Sequence, residues 1–141
     1  MISVTSQTGK YILQPSLIGM HRESVEWISA TELWKRELGF FQNLLDQHAP
    51  KMDNVEFKKQ VDHYQHLITY YNGELVDALR KKLRDHEKQL ATMLQELNES
   101  DTEYFKDHAS VIEEVAAFAK VFAEFKHGFF EFIERGFSAY K

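Results

Sequence analysis

Residues 54–98, NVEFKKQVDHYQHLITYYNGELVDALRKKLRDHEKQLATMLQELN, decide the fold. Reading Phe57, Val61, Tyr64, Ile68, Tyr71, Leu75, Leu79, Leu83, His86, Leu90, Met93 and Leu97 as one row gives steps of three and four residues from end to end. Such steps keep side chains on one face of a helix, whereas a half-buried strand repeats every second residue. Only around Tyr71, Leu75 and Leu79 do fours follow one another, and these positions flank Asn72-Gly73. Glycine costs a helix interior about 1 kcal/mol relative to alanine, and Asn-Gly is a common turn pair. A reversal here would give a four-helix up-down bundle. The row keeps its phase across the pair, so the reading taken is one long helix. The expected fold is all-α, an antiparallel helical bundle of three long helices.

A first helix precedes this one. Trp27, Thr31, Trp34, Leu38, Phe41, Leu45 and His48 alternate steps of four and three, with Glu37 at the edge of the row. Ser24 is placed to cap the free N–H groups of its first turn, and Pro50 ends it. A last helix follows: Ser100-Asp101-Thr102-Glu103 reads as a capping box, and Tyr104, His108, Val111, Val115, Phe118, Phe122, Phe125, Phe129 and Phe132 form its row. Gly136 is a plausible stop. The expected organisation is an irregular N-terminal arm over 1–23, docked through Tyr11-Ile12-Leu13 and Leu17-Ile18, and one domain over 24–141. Its helices lie near 24–48, 54–98 and 101–135.

Composition narrows the class further. The 141 residues are 43% apolar and contain no cysteine, so no disulfide framework or thiolate site exists. A formal charge of −5 argues against non-specific nucleic-acid binding. The basic run Arg80-Lys81-Lys82 with Arg84 is followed by Asp85 and Glu87 and reads as a solvated face. The start of the chain has no signal-peptide pattern, and no run of 18 apolar residues occurs; a cytoplasmic protein that does not enter membranes is expected. No Gly-rich loop, nucleophile elbow or triad pattern is present, so neither an enzyme nor a cofactor is expected.

Three stretches carry a resemblance. They are Trp27 to Leu45; His63-Tyr64-Gln65-His66 running into Glu74 to Leu79; and Phe118 to Phe132. Together they resemble a family of small bacterial antiparallel helical-bundle proteins of unassigned function. The likeness covers most of 24–134. It implies a bundle and carries over no functional residue.

Two functional readings remain. Seven histidines invite a metal site built from inward-facing side chains. The sets Glu124/His127/Glu131 and His63/His66 fall on outer faces, whereas His48, His86 and His108 occupy inward rows. If the chain reversed at Asn72-Gly73 these three would meet and could bind a metal ion. If it runs straight, only His86 and His108 are close, and protonating both near about pH 6 would make association pH-sensitive. The first reading is instead a non-enzymatic interaction protein. A first helix starting at Ser24 stops short of the far end of the long helix. Leu83, Leu90, Met93, Val111, Ile112 and Val115 would then be exposed, and a second copy in a C2 homodimer, or another helical protein, would cover them.

Overall fold

The computed structural model describes residues 15–51, 53–96 and 102–140, with side chains over 17–51, 53–96 and 102–136. All of its regular structure is helical: α1 (Pro15–His48), a 3-10 turn (Ala49–Lys51), α2 (Val55–Tyr70), a π-helical turn (Tyr71–Leu75), α3 (Val76–Gln95) and α4 (Thr102–Tyr140). The irregular-arm reading of residues 1–14 and Ser100-Asp101 of the expected capping box, together with Leu97, lie outside the described residues. Among those described, no helix is long and apolar enough to cross a membrane.

Asn54 caps α2, its side chain accepting from the Phe57 N–H at 3.0 Å. The rod then continues through Asn72-Gly73 without reversing, since Tyr71 (φ −64°, ψ −46°) and Val76 (φ −66°, ψ −41°) both keep right-handed helical geometry. The irregularity in the row has a physical origin here. The Val76 N–H bonds to the Tyr71 carbonyl, five residues back, and so closes a π turn. After Tyr71 the buried row resumes at Val76, which is fully buried, while Leu75, the expected inward residue, is only half-buried. Lys35 of α1 donates to the Asn72 carbonyl at 3.0 Å and to Asp77 at 2.7 Å, tying the wide turn to the neighbouring helix.

Cross-helix pairs set the register. His21 with Glu87 and Lys35 with Asp77 make α1 antiparallel to α3, and Lys82 with Glu114 and Gln89 with Asp107 make α3 antiparallel to α4. Glu23 with His108 and Glu37 with Lys126 place α4 alongside α1 in the same direction. The main core is aromatic: Phe118, Phe122, Phe125 and Phe129 stack in a ladder along α4, with successive centroids 5.7, 5.9 and 5.8 Å apart. Trp34 meets Phe118 edge-on at 5.2 Å, and Tyr71 turns its ring edge-on to Phe118, Phe122 and Phe125. A second, smaller core of Leu17, Leu90, Met93 and Tyr104 closes the end where α1 and α4 begin.

Three expectations are corrected. The first helix begins at Pro15, not Ser24, and proline suits a first helical position because its missing N–H would be unpaired there anyway. Ser24 is therefore an interior residue of a seam with a seven-residue period: Leu17, Ser24, Thr31, Leu38 and Leu45 are each 0% exposed. The third correction is at Gly136, which does not stop α4. It is small because Phe57, stacked on Phe132 at 4.7 Å, lies where a β-carbon would be.

The two glycines should respond oppositely to a methyl group. Gly73 is helical with nothing within 4 Å of a β-carbon, so Gly73→Ala should stabilise the chain by up to about 1 kcal/mol. Gly136→Ala drives a methyl group into the Phe57 ring and should cost about 1–3 kcal/mol. Urea unfolding followed by circular dichroism measures both, and a stabilised Gly136→Ala would contradict the Phe57 packing.

Candidate functional site

Between the two apolar cores lies a layer of polar side chains. His86 of α3 and His108 of α4 each occupy an inward row position, and their rings meet, with His86 Nε2 2.9 Å from His108 Nδ1. On its other side His108 Nε2 lies 2.8 Å from the Glu23 carboxylate of α1. His86 is sandwiched against Tyr104, ring on ring, with centroids 4.4 Å apart and planes 4° apart. His21 and Glu87 form a second cross-helix pair at 2.6 Å close by in sequence on the same two helices. His86 and His108 are 3% and 5% exposed, and Ser24, the neighbour of Glu23, is fully buried.

The hydrogen-bond chain constrains the tautomers. A carboxylate only accepts, so Nε2–H of His108 donates to Glu23. In neutral His108, Nδ1 is then the acceptor, and Nε2–H of His86 donates to it. That leaves Nδ1 of His86 as a lone pair, and this atom is buried without a partner. The Ser24 hydroxyl, one Glu87 carboxylate oxygen and the Tyr104 hydroxyl are buried and unpartnered too. Unpaired buried polar atoms are costly, so the layer weakens this end of the bundle relative to an apolar one.

Burial holds His86 below the ordinary imidazole range; the neighbouring His108 lowers it further, while Gln89 and Asp107 pull the other way. Burial, with Glu87 nearby, pushes the Tyr104 phenol up, so it stays an O–H group. The arrangement can pass a proton between half-exposed Glu23 and enclosed His86 by exchanging hydrogens along His108.

The three-histidine metal site is not assembled. His48 ends α1, 25 residues beyond Glu23, which is roughly 37 Å at the helical rise. His86 and His108 spend on each other the nitrogens that a shared ion would need. Among the described residues no group of three or more His, Cys, Asp or Glu side chains converges on one point. The outer-face histidines stand where expected, His66 beside Asp62 and His127 beside Glu131, both largely exposed.

The expected interface is also corrected. Leu83, Leu90 and Val115 are fully buried within the single chain and Met93 is 2% exposed, because the early start of α1 carries Leu17 onto this end. Val111 and Ile112 are half-buried. The basic run is engaged with acids: Lys81 with Asp85, Lys82 with Glu114 and Arg80 with Glu32.

Glu23, His21, Glu87 and Tyr104 were not singled out from the sequence as site residues. The missing signal was the seven-residue recurrence Leu17, Ser24, Thr31, Leu38, Leu45, which extends the first helix upstream and brings Glu23 onto His108. No family model, curated protein or solved structure matches the chain, so no residue role is carried over from a relative.

The lowered affinity of His86 for a proton gives a sign to the pH dependence of stability. The unfolded chain protonates this residue near 6.5 and the folded chain only at lower pH, so unfolding takes up a proton in the window beneath 6.5. The His86 contribution is intact above that value and is lost as the pH falls through the window, by at most about 1.4 kcal/mol per pH unit. Urea unfolding at several pH values should show this slope and a shallower one in His86→Gln. An equal slope in both proteins would assign it to other groups.

Proposed function

We propose that this chain is a non-enzymatic helical interaction protein, and that it pairs with a second copy of itself along the outer side of α1 and α4. One observation carries the reading: Leu33 and Phe40, on the solvent side of α1, are each 57% exposed, and Phe130 of α4 beside them is 46% exposed. Solvent faces of bundle helices are ordinarily polar. Val25, also exposed, joins the same strip, since Val25, Leu33 and Phe40 fall within roughly 80° of one another at the helical repeat. Phe130 lies edge-on to Phe41 at 5.4 Å, and Phe40 is 6.2 Å from Phe41, so the two exposed rings flank a shared buried one. The strip extends about 22 Å along α1. A patch of this kind pairs with its own copy about a two-fold axis.

The non-enzymatic part of the reading draws on the polar layer, whose imidazoles are engaged with each other and with Glu23. A cysteine-free chain suits a reducing compartment, and a cytoplasmic location belongs to the same proposal.

Sedimentation equilibrium over a dilution series tests the pairing. The wild type should shift from dimer to monomer mass on dilution. Phe40→Glu combined with Phe130→Glu should stay monomeric with an unchanged helical circular dichroism spectrum, since both side chains are at the surface. A wild type that is monomeric throughout would end the self-association reading, and a dimeric double variant would remove it from this strip.

A further inference from the structure

The polar layer divides the buried apolar residues into two separate groups. On one side is the main core, from Leu45 and Phe132 to Leu83 and Val115; on the other is the end core of Leu17, Leu90, Met93 and Tyr104. Cooperative units of a protein open with different free energies, and one held by few apolar contacts opens first. Among the described residues the end core is the smaller unit, four buried side chains with Ile18, Met20, Leu94 and Phe105 packed against them. Three of its polar ties across helices, among the described residues, run through histidines, from His21 to Glu87, from His86 to His108 and from His108 to Glu23, and a fourth joins Gln89 to Asp107.

We propose that the layer is a proton-operated joint: uptake of a second proton by the His86–His108 pair opens the end of the bundle, exposing Leu17, Leu90, Met93 and Tyr104 while the main core stays folded.

The first proton is accommodated. It enters at the Nδ1 of His86, and the hydrogen on His86 Nε2 can pass to His108 Nδ1, so that the charge is shared along a chain that ends on the Glu23 carboxylate. Every hydrogen bond in the chain survives, with the direction of the central one reversed. The second proton has no such place. Both nitrogens facing each other across 2.9 Å would then carry hydrogens, so the central bond is lost and two cations face each other in a buried layer. Coupled sites of this kind titrate in two macroscopic steps.

The carboxylates around the pair offset the second charge only in part, although Asp107 favours a proton on His86 and one Glu87 oxygen is buried without a partner. From α1, Glu23 is already engaged with His108, and His21 is itself cationic when protonated. From α3, Glu87 is bonded to His21, and Lys82 is bonded to Glu114 of α4. From α4, Asp107 is held by Gln89 at 3.0 Å, and Tyr104 presents a ring face and a neutral hydroxyl. The separation therefore falls on the α3–α4 contact at the layer, beneath the first turns of α1.

Hydrogen exchange by mass spectrometry on the full chain at roughly pH 7.5 and 5.5, spanning the ordinary imidazole range, tests the joint. Labelling times are scaled for the intrinsic pH dependence of exchange. Peptides covering 15–25, 86–95 and 102–110 should lose protection on acidification, by up to about tenfold per pH unit for each proton taken up. Peptides covering 57–83 and 111–132 should hold theirs. His86→Gln keeps a donor toward His108 and cannot take a proton, so its end peptides should stay protected at the lower pH. His108→Gln retains an acceptor for His86 and a donor for Glu23; it leaves one imidazole and serves the same purpose if the first variant folds poorly. Unchanged end peptides in the wild type, loss of protection across the whole molecule together, or equal loss in a folded Gln variant would each overturn the proposal.

Discussion

The bundle depends on backbone hydrogen bonding that runs unbroken through Tyr71–Leu75. Had the chain turned at Asn72-Gly73, α2 and α3 would lie side by side and every pairing along α1 and α4 would change. The π turn resolves the conflict between a glycine that weakens the helix and an apolar row that continues past it. One extra residue is taken into the turn, the row shifts from Leu75 to Val76, and the same face of the rod stays inward on both sides. The wide turn needs a partner for the carbonyl of Asn72, and Lys35 provides one while also bonding Asp77. A turn in one helix is thus coupled to a cation in the next, and the register of α1 on α3 is set near the middle of the rod.

From that register the position of the polar layer follows. With Lys35 opposite Asn72 and Asp77, eleven to twelve residues toward the start of α1 bring Glu23 and Ser24 level with His86, and His108 completes the layer from α4. The aromatic ladder of α4 ends before this point. The layer has a ring stack of its own, His86 on Tyr104, but it also buries four polar atoms without partners, and this is why the end is the weaker region within a single run of helices.

Much of this was legible in the sequence. The steps of three and four identified the class, the three long helices and nearly every buried residue of α2, α3 and α4, because periodicity reports burial directly. Inward positions for His86 and His108 were readable for the same reason. What stayed hidden was set by contacts between segments distant in sequence. Ser24 looks like a helix cap because its side chain suits that role locally, yet the helix passes through it, and only tertiary packing over Leu17 decides between the two. Gly136 looks like a stop, yet its smallness answers to Phe57, some eighty residues earlier. The expected interface failed as a result of the first of these: a helix begun nine residues too late left Leu83, Leu90 and Met93 uncovered on paper.

A buried polar layer in an otherwise apolar bundle calls for a reason beyond stability, since apolar residues of similar volume would hold the end more tightly. Register supplies one. A seam repeating every seven residues tolerates sliding by a heptad, because Leu17, Leu38 and Leu45 are interchangeable as packing units. Ser24 and Glu23 are not. Sliding α1 by one heptad toward either end would move the Glu23 carboxylate away from His108 and set Leu17 or Thr31 against the imidazoles, leaving buried nitrogens without partners. The same bond that penalises the slip is one a proton can disturb, so specificity of alignment and sensitivity to acid arise from a single choice of side chains at His86, His108 and Glu23.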